Sequence, residues 1–209
     1  AYLRKYGEVS RKAIISQQDL DLYDAIRELS DIKEDPKSTA AQIAATEKKL
    51  DRAISRIDHT SEASELARMA WWTTEYGLVG DAKNPKIYGA GLLSSISESY
   101  HCFDSSVKKI PFDLNCIKQG YDITKPQPQL FVTPDFKQLE NVLDAFSKTM
   151  AYKHGGREGL EKALRAKAVC TVEMDTGIQI SGVLSETISG RQGEVAYLRF
   201  QGPTQLAFK

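Results

Sequence analysis

Charge of neither sign prevails in these 209 residues: Lys and Arg together number 28, and so do Asp and Glu. That balance supplies no long-range field to draw in nucleic acid or an anionic membrane surface, and no basic stripe interleaved with aromatics supplies one locally. Long apolar runs are missing as well. None approaches the roughly 20 residues of a membrane-spanning helix, and no secretory signal opens the chain. Only three cysteines occur, Cys102, Cys116 and Cys170, widely spaced. They make neither a disulfide framework nor a CxxC metal site, a usage that fits a reducing cytoplasm. Histidine is equally sparse: His59, His101 and His154 lie far apart, so no close pair sets two imidazoles on one helix, and each reads as a surface or loop residue. No G-x-S-x-G elbow or His–acid pairing supports a serine nucleophile.

What is there is a globular composition, 41% hydrophobic and 27% charged, in a length that accommodates one domain and a modest second one. Tyr2 to Tyr6 reads as a short helix ending at Gly7, and with Ala1 in place of Met the chain is expected to be a fragment or a processed form. Ser16 with Asp19 opens a helix to about Leu29, with Leu20, Tyr23, Ile26 and Leu29 on one face, and Asp35-Pro36 breaks it. Thr39 with Gln42 opens a second, to about Ile57, whose narrow face is Ile43, Leu50, Ile54 and Ile57. Ser61 caps a third that runs through Leu66, Met69, Trp72 and Tyr76 and stops near Gly77 to Gly80. Asn84-Pro85-Lys86 reads as a turn, Leu92 to Tyr100 as a helix, Phe112 to Lys118 as a short helix and Gln129 to Val132 as a strand. Thr133-Pro134-Asp135 starts a helix carrying Leu139, Val142, Leu143 and Phe146 on one side. After residue 165 the runs Val169–Val172, Ile178–Leu184, Val195–Phe200 and Gln205–Phe208 predict four antiparallel strands. The fold class is therefore mainly α with a small appended antiparallel β unit: residues 1–150 mostly helical, residues 166–209 the β unit.

One carboxylate stands where a bare charge is hard to accommodate. In Trp71-Trp72-Thr73-Thr74-Glu75-Tyr76-Gly77 the helical neighbours of Glu75 are Trp71, Trp72, Leu78 and Val79. Desolvating a carboxylate among such groups is costly unless it is protonated, hydrogen-bonded, paired or metal-bound. Arg68 is a candidate partner, and residue type and spacing alone favour a structural Glu75, partly exposed or paired with Arg68, over a functional one. Further on, Tyr88-Gly89-Ala90-Gly91-Leu92-Leu93-Ser94-Ser95 combines two glycines that allow close backbone approach with two serines able to hydrogen-bond a small ligand. Its G-x-G lacks the third glycine and the strand–helix unit of a dinucleotide site. Taken alone, the run is best read as a helix entry with serine caps.

Together the two segments carry a resemblance. The first is similar to the W-F-T-V-E-F-G segment of the tetrahydropterin-dependent aromatic amino acid hydroxylases, and the second to the Y-G-A-G-L-L-S-S that follows it there. Glu98 matches a family glutamate just beyond the serines, and Gln127-Pro128 with Leu130-Phe131-Val132 resembles a later Q-P-x-x-x-V stretch. The resemblance covers residues 1–150 and is nearest to the members that act on phenylalanine. It implies a mononuclear non-haem Fe(II) monooxygenase that uses a tetrahydropterin and O2 to hydroxylate an aromatic amino acid, phenylalanine to tyrosine foremost. In that family iron sits on two His and one Glu. On this basis Glu75 is the metal ligand and Trp71 lines the amino acid site. Gly91, Ser94 and Ser95 lie beside the substrate's amino acid end, Ser94 also near an iron-ligating His.

The same resemblance puts the family's two iron histidines, and most residues that bind pterin and clamp substrate, upstream of Ala1. These 209 residues alone are therefore expected neither to hold iron in the family's manner nor to turn over substrate, and the missing N-terminal part of the same protein becomes a required partner. Ala70 stands where animal members carry a tyrosine at one wall of the iron site. Residues 31–60 and the β unit have no counterpart in the short catalytic domain and are expected to mark a longer bacterial form. The alternative is a non-catalytic binding or oligomerisation module derived from that family, its β unit joining copies in a homo-oligomer. Neither nucleic acid nor membrane is an expected partner, and the choice among phenylalanine, tyrosine and tryptophan as substrate is open.

Overall fold

The computed structural model describes residues 1–123 and 125–208. In chain order, α1 (Tyr2–Ser10), α2 (Gln17–Glu34) and α3 (Ala40–Ser55) precede α4 (Glu62–Ala70), which continues directly into a π-helical turn, Trp71–Glu75. Then come β1 (Leu78–Asp81), β2 (Asn84–Ile87), α5 (Ala90–Ser94), α6 (Ile96–His101), β3 (Lys108–Pro111), a 3-10 turn (Leu114–Lys118) and β4 (Gln129–Thr133). α7 (Phe136–Thr149), α8 (Ala151–His154) and α9 (Gly156–Ala166) lead to β5 (Val169–Glu173), β6 (Ile178–Ser189) and β7 (Val195–Phe208). Helix is the commonest state, and the C-terminal strands are antiparallel. The chain forms two compact units, residues 1–13 with 63–153 and residues 14–62 with 154–209. Residues 14–62, read from the sequence as part of a 1–150 segment, thus group with the C-terminal strands.

A four-stranded sheet of order β2-β1-β4-β3 in the first unit departs from the mainly helical expectation for this region. β1 and β2 form an antiparallel hairpin, while β4 runs parallel to both β1 and β3. β1, β2 and β3 have four residues each, too few to show alternation in sequence. Asn84-Pro85-Lys86 is strand rather than turn: Pro85 pairs with Gly80 on the sheet's edge, where proline is tolerated, and the turn falls at Ala82-Lys83. Against this sheet α7 lays Leu139, Val142, Leu143 and Phe146, the stripe its spacing predicts. Burying each such side chain contributes roughly 1.5–3 kcal/mol. Within Thr133-Pro134-Asp135 it is Asp135 that caps α7, accepting from the Gln138 N–H at 2.9 Å. α1 does not end at Gly7. Buried Val9, the Tyr6 hydroxyl donated to Leu66 O at 2.8 Å and the Lys5–Asp144 pair at 2.5 Å dock the helix through to Ser10.

In the second unit both expected capping boxes form. Ser16 Oγ accepts from the Asp19 N–H and the Asp19 carboxylate accepts from the Ser16 N–H; Thr39 and Gln42 do the same. α2 ends at Asp35, because the residue before Pro36 is driven out of helical geometry. The Lys33–Glu47 pair (3.0 Å) and the Lys49–Glu28 pair show that α2 and α3 lie antiparallel. Their inner faces are only partly those expected: Leu20, Leu29, Ile43 and Leu50 are half-buried and Ala25 and Thr46 buried, whereas Tyr23, Ile26, Ile54 and Ile57 are exposed. On α2 the buried residue is Ala25, flanked by half-buried Leu22 and Leu29. α9 was missed, because Gly155-Gly156 reads as a stop. Both glycines have positive φ, and they turn the chain into a further helix that packs Leu160 and Ala163 on Leu184 of β6. Three strands of order β5-β6-β7 form where four were expected, the last two predicted strands being one long β7 with an irregularity between them. Buried Glu62, 4% exposed in its side chain, pairs with Lys162 at 2.9 Å and accepts the Ile14 N–H at 3.2 Å, which ties three segments of this unit together.

Candidate functional site

The π-helical turn results from two adjacent threonines. Thr73 Oγ1 donates to Met69 O at 2.7 Å and Thr74 Oγ1 to Ala70 O at 2.9 Å, so hydroxyls engage carbonyls of the preceding turn. The backbone widens accordingly, and the Tyr76 N–H bonds back five residues to Trp71 O at 2.9 Å. The Tyr2 hydroxyl meets Thr73 Oγ1 at 3.2 Å and braces the turn from α1.

Three glycines then lock the turn onto the Tyr88–Ser95 run. Gly77 O accepts two N–H groups, from Tyr88 (3.2 Å) and Gly89 (3.0 Å). A Cβ on Gly77 would overlap the Tyr88 ring and Thr73 O. One on Gly89 would sit 2.6 Å from Gly77 N and closer still to Glu75 O. One on Gly91 would lie 3.0 Å from Glu75 O and 3.3 Å from a Glu75 carboxylate oxygen. The two motifs are thus one structural body, joined at Gly77 and Gly89 where a Cβ has no room and at Gly91 by a tight approach.

Within this body Glu75 is an exposed, solvated carboxylate, in keeping with the partly exposed residue that its type and spacing favoured. Arg68 is not its partner: the guanidinium donates to Ile117 O at 3.1 Å. Gly91 is half-buried beside the carboxylate. Ser94 is exposed and donates to Gly91 O at 3.1 Å, while Ser95 caps α6 by accepting the Glu98 N–H at 3.3 Å. Ser95 also splits the expected Leu92–Tyr100 helix in two. Trp71 is half-buried, stacked on Tyr76 and Tyr121.

Three residues here escaped the sequence reading. Tyr76, part of the first motif, has its phenol pushed above the usual tyrosine range by burial and then by the nearby charges of Glu98 and Glu75. Tyr88, filling the space over Gly77, is pushed up further, chiefly by burial. Tyr121 is a lone aromatic in a Gly-Tyr-Asp loop, and no local signal announces its contact with Trp71. The histidines sit beside acids of their own surroundings: His59 with Asp58 (2.6 Å), His101 with Asp104 (2.9 Å) and His154 with Glu158 (3.2 Å).

Comparison with known proteins places this body in a family. The model of the biopterin-dependent aromatic amino acid hydroxylases matches residues 31–156, which takes in the 31–60 segment read as additional material. The phenylalanine-4-hydroxylase of Vibrio cholerae is 42% identical over 80 residues, 37% of this chain and 28% of the relative. That of Chromobacterium violaceum is 46% identical over 76 residues, 35% of this chain and 26% of the relative. The human enzyme is 34% identical over 87 residues, 41% of this chain and 19% of its own length. The chain therefore spans under a third of the length of these curated relatives. Among solved structures, C. violaceum phenylalanine hydroxylase with bound iron(III) and 7,8-dihydrobiopterin overlaps at a TM-score of 0.39 with 34% identity, over 51% of this chain and 38% of that one. With the family model matching more than half of its length, the chain belongs to the biopterin-dependent aromatic amino acid hydroxylases.

Proposed function

We propose that this chain supplies one wall and one metal ligand of a tetrahydropterin-dependent, non-haem Fe(II) monooxygenase that hydroxylates an aromatic amino acid, phenylalanine to tyrosine foremost. The observation that carries the reading is the glycine interlock, which holds the Glu75 carboxylate against Gly91 at the start of the segment bearing Ser94 and Ser95. A solvated carboxylate on a braced turn keeps its oxygens available to a cation, as a buried, paired one does not. The names of the bacterial relatives, phenylalanine-4-hydroxylases, support the substrate class.

Iron does not fit these residues as a complete set. Among the described residues, no group of three or more His, Cys, Asp or Glu side chains is placed to hold a metal ion. Glu75 offers one oxygen donor, and the remaining ligands have to come from elsewhere in the complete protein. What the residues of this chain do is positional. The threonine-braced turn fixes the Glu75 backbone, Gly91 sets the approach of the facing segment, and Ser94 and Ser95 hold the ends of α5 and α6, beside which the substrate's amino acid group would lie.

The test is pterin-dependent conversion of phenylalanine to tyrosine by the complete gene product supplied with Fe(II), alongside Glu75→Gln. The substitution should abolish turnover and bound iron together. Unchanged activity in that variant would sink the ligand assignment.

A second reading, assembly through the β unit, is favoured by one observation. β7 is a sheet-edge strand of 14 residues, exposed along nearly its whole length and carrying exposed Tyr197, Leu206 and Phe208. Such an edge pairs readily with a second copy. Sedimentation of the chain against concentration should show a dimer that Leu206→Lys weakens; a monomer at all concentrations argues against it.

A further inference from the structure

Trp71 is held more tightly than a simple lining residue requires. Its indole is parallel to Tyr121, with centroids 4.3 Å apart and 9° between planes, and nearly parallel to Tyr76, at 4.5 Å and 23°. Two rings so close and so parallel to one indole cannot share a face without overlapping, so Tyr76 and Tyr121 cover opposite faces. Tyr76 comes from the same turn. Tyr121 arrives on a strap whose alternate residues dock along α4 and the π-helical turn. Arg68 donates to Ile117 O at 3.1 Å, Trp72 Nε1 donates to Gln119 O at 2.9 Å, and the Tyr121 ring then lies on Trp71 with its edge toward Trp72. The Trp71 N–H is enclosed and has no hydrogen-bond partner among the described residues, so stacking is the contact that orients the indole.

With both faces covered, Trp71 has none left to stack on a substrate ring, and Tyr121 is the more exposed of the two outer members of the stack. We propose that Tyr121 is a specificity-determining residue of the aromatic amino acid site: its phenol ring fills the space over Trp71 that a second ring would otherwise take, and so restricts the site to single-ring side chains. This rests on the reading of Trp71 as part of the substrate wall. Truncating Tyr121 leaves a flat, ring-sized slot against the indole, the shape that accepts the larger indole side chain of tryptophan.

The experiment is equilibrium dialysis of the complete protein carrying this chain against labelled L-phenylalanine and L-tryptophan, comparing wild type, Tyr121→Phe and Tyr121→Ala. Wild type and Tyr121→Phe should prefer phenylalanine. Tyr121→Ala should move the affinity ratio toward tryptophan by about tenfold or more, the range that pocket volume controls. A ratio within about twofold of wild type, with phenylalanine still bound, overturns the role of Tyr121 and leaves the site reading standing. Failure of wild type to bind any aromatic amino acid overturns both. Should the alanine variant not fold, Tyr121→Leu is read by the same criteria. In the 209-residue chain, acrylamide quenching supplies an independent check, since Trp72 is 1% exposed and Trp71 is the tryptophan within reach. Quenching should rise severalfold in Tyr121→Ala, stay low in Tyr121→Phe, and fall again when p-cresol fills the slot. Unchanged quenching in the alanine variant overturns the stack itself.

Discussion

Gly89 shows how much of the site depends on an absent atom. Adding a single methyl there meets Gly77 N at 2.6 Å and Glu75 O more closely still, and both are backbone atoms that cannot rotate away. Gly89→Ala should therefore force the two motifs apart at a cost of about 1–3 kcal/mol, and chemical denaturation followed by tryptophan fluorescence would read it. Gly7 makes the contrast. It lies inside α1, is exposed, and has open space around the position of a Cβ. Gly7→Ala should stabilise by roughly 0.5–1 kcal/mol through helix propensity, and a loss of stability would mean that α1 is not helical there. Sequence makes both glycines visible but cannot tell them apart, since one faces solvent and the other a backbone brought close by the fold. For Glu75 the sequence favoured a partly exposed or Arg68-paired carboxylate; it is exposed, and Arg68 turns instead to Ile117 O, a partner 49 residues away that spacing along the helix does not reveal.

At the scale of elements, features written in local chemistry were legible. The boxes at Ser16–Asp19 and Thr39–Gln42, the stop at Asp35-Pro36 and the apolar stripe of α7 all follow from side chains within a turn or two of one another. Ser16→Ala should accordingly cost about 1 kcal/mol, measured as a shift in the denaturation midpoint with unchanged slope. What sequence concealed depends on distant partners. The four-residue strands of the first unit exist because β4 offers its edges to β1 and β3. The inner face of α2 is set by contact with α3, which selects small Ala25 over the larger Tyr23 and Ile26. The Tyr121 stack is of the same kind, a lone ring placed by a strap that docks through two carbonyls. The paired motifs were the legible part of the site. Their interlock was legible only as glycine content.

At the scale of the whole chain, two consequences can be measured. Dialysed against Fe(II), the 209 residues should retain far less than one iron per chain, because the described residues bring no second and third ligand to Glu75. Stoichiometric binding, measured by metal analysis, would contradict the proposed division of the site. The other consequence concerns alkaline pH. Burial pushes the Cys116 thiol from an ordinary 9.0 up to about 12 and the Tyr2 phenol from 10.0 to about 12, and it raises Tyr88 as well. All three belong to the first unit, and all are neutral when protonated. The folded state therefore keeps protons that the unfolded chain releases. Their contribution to stability is full below pH 9 and is lost as pH rises from 9 toward 12. Fully buried Cys116 alone should give a slope of about 1.4 kcal/mol per pH unit across that window. Both tryptophans also lie in the first unit, so urea titrations read by their fluorescence between pH 8 and 11 report on it without the second unit. Stability should be level to pH 9 and then fall, and Cys116→Ala should start lower but fall less steeply. An equal slope in that variant would show that the thiol titrates in the folded unit as it does in water.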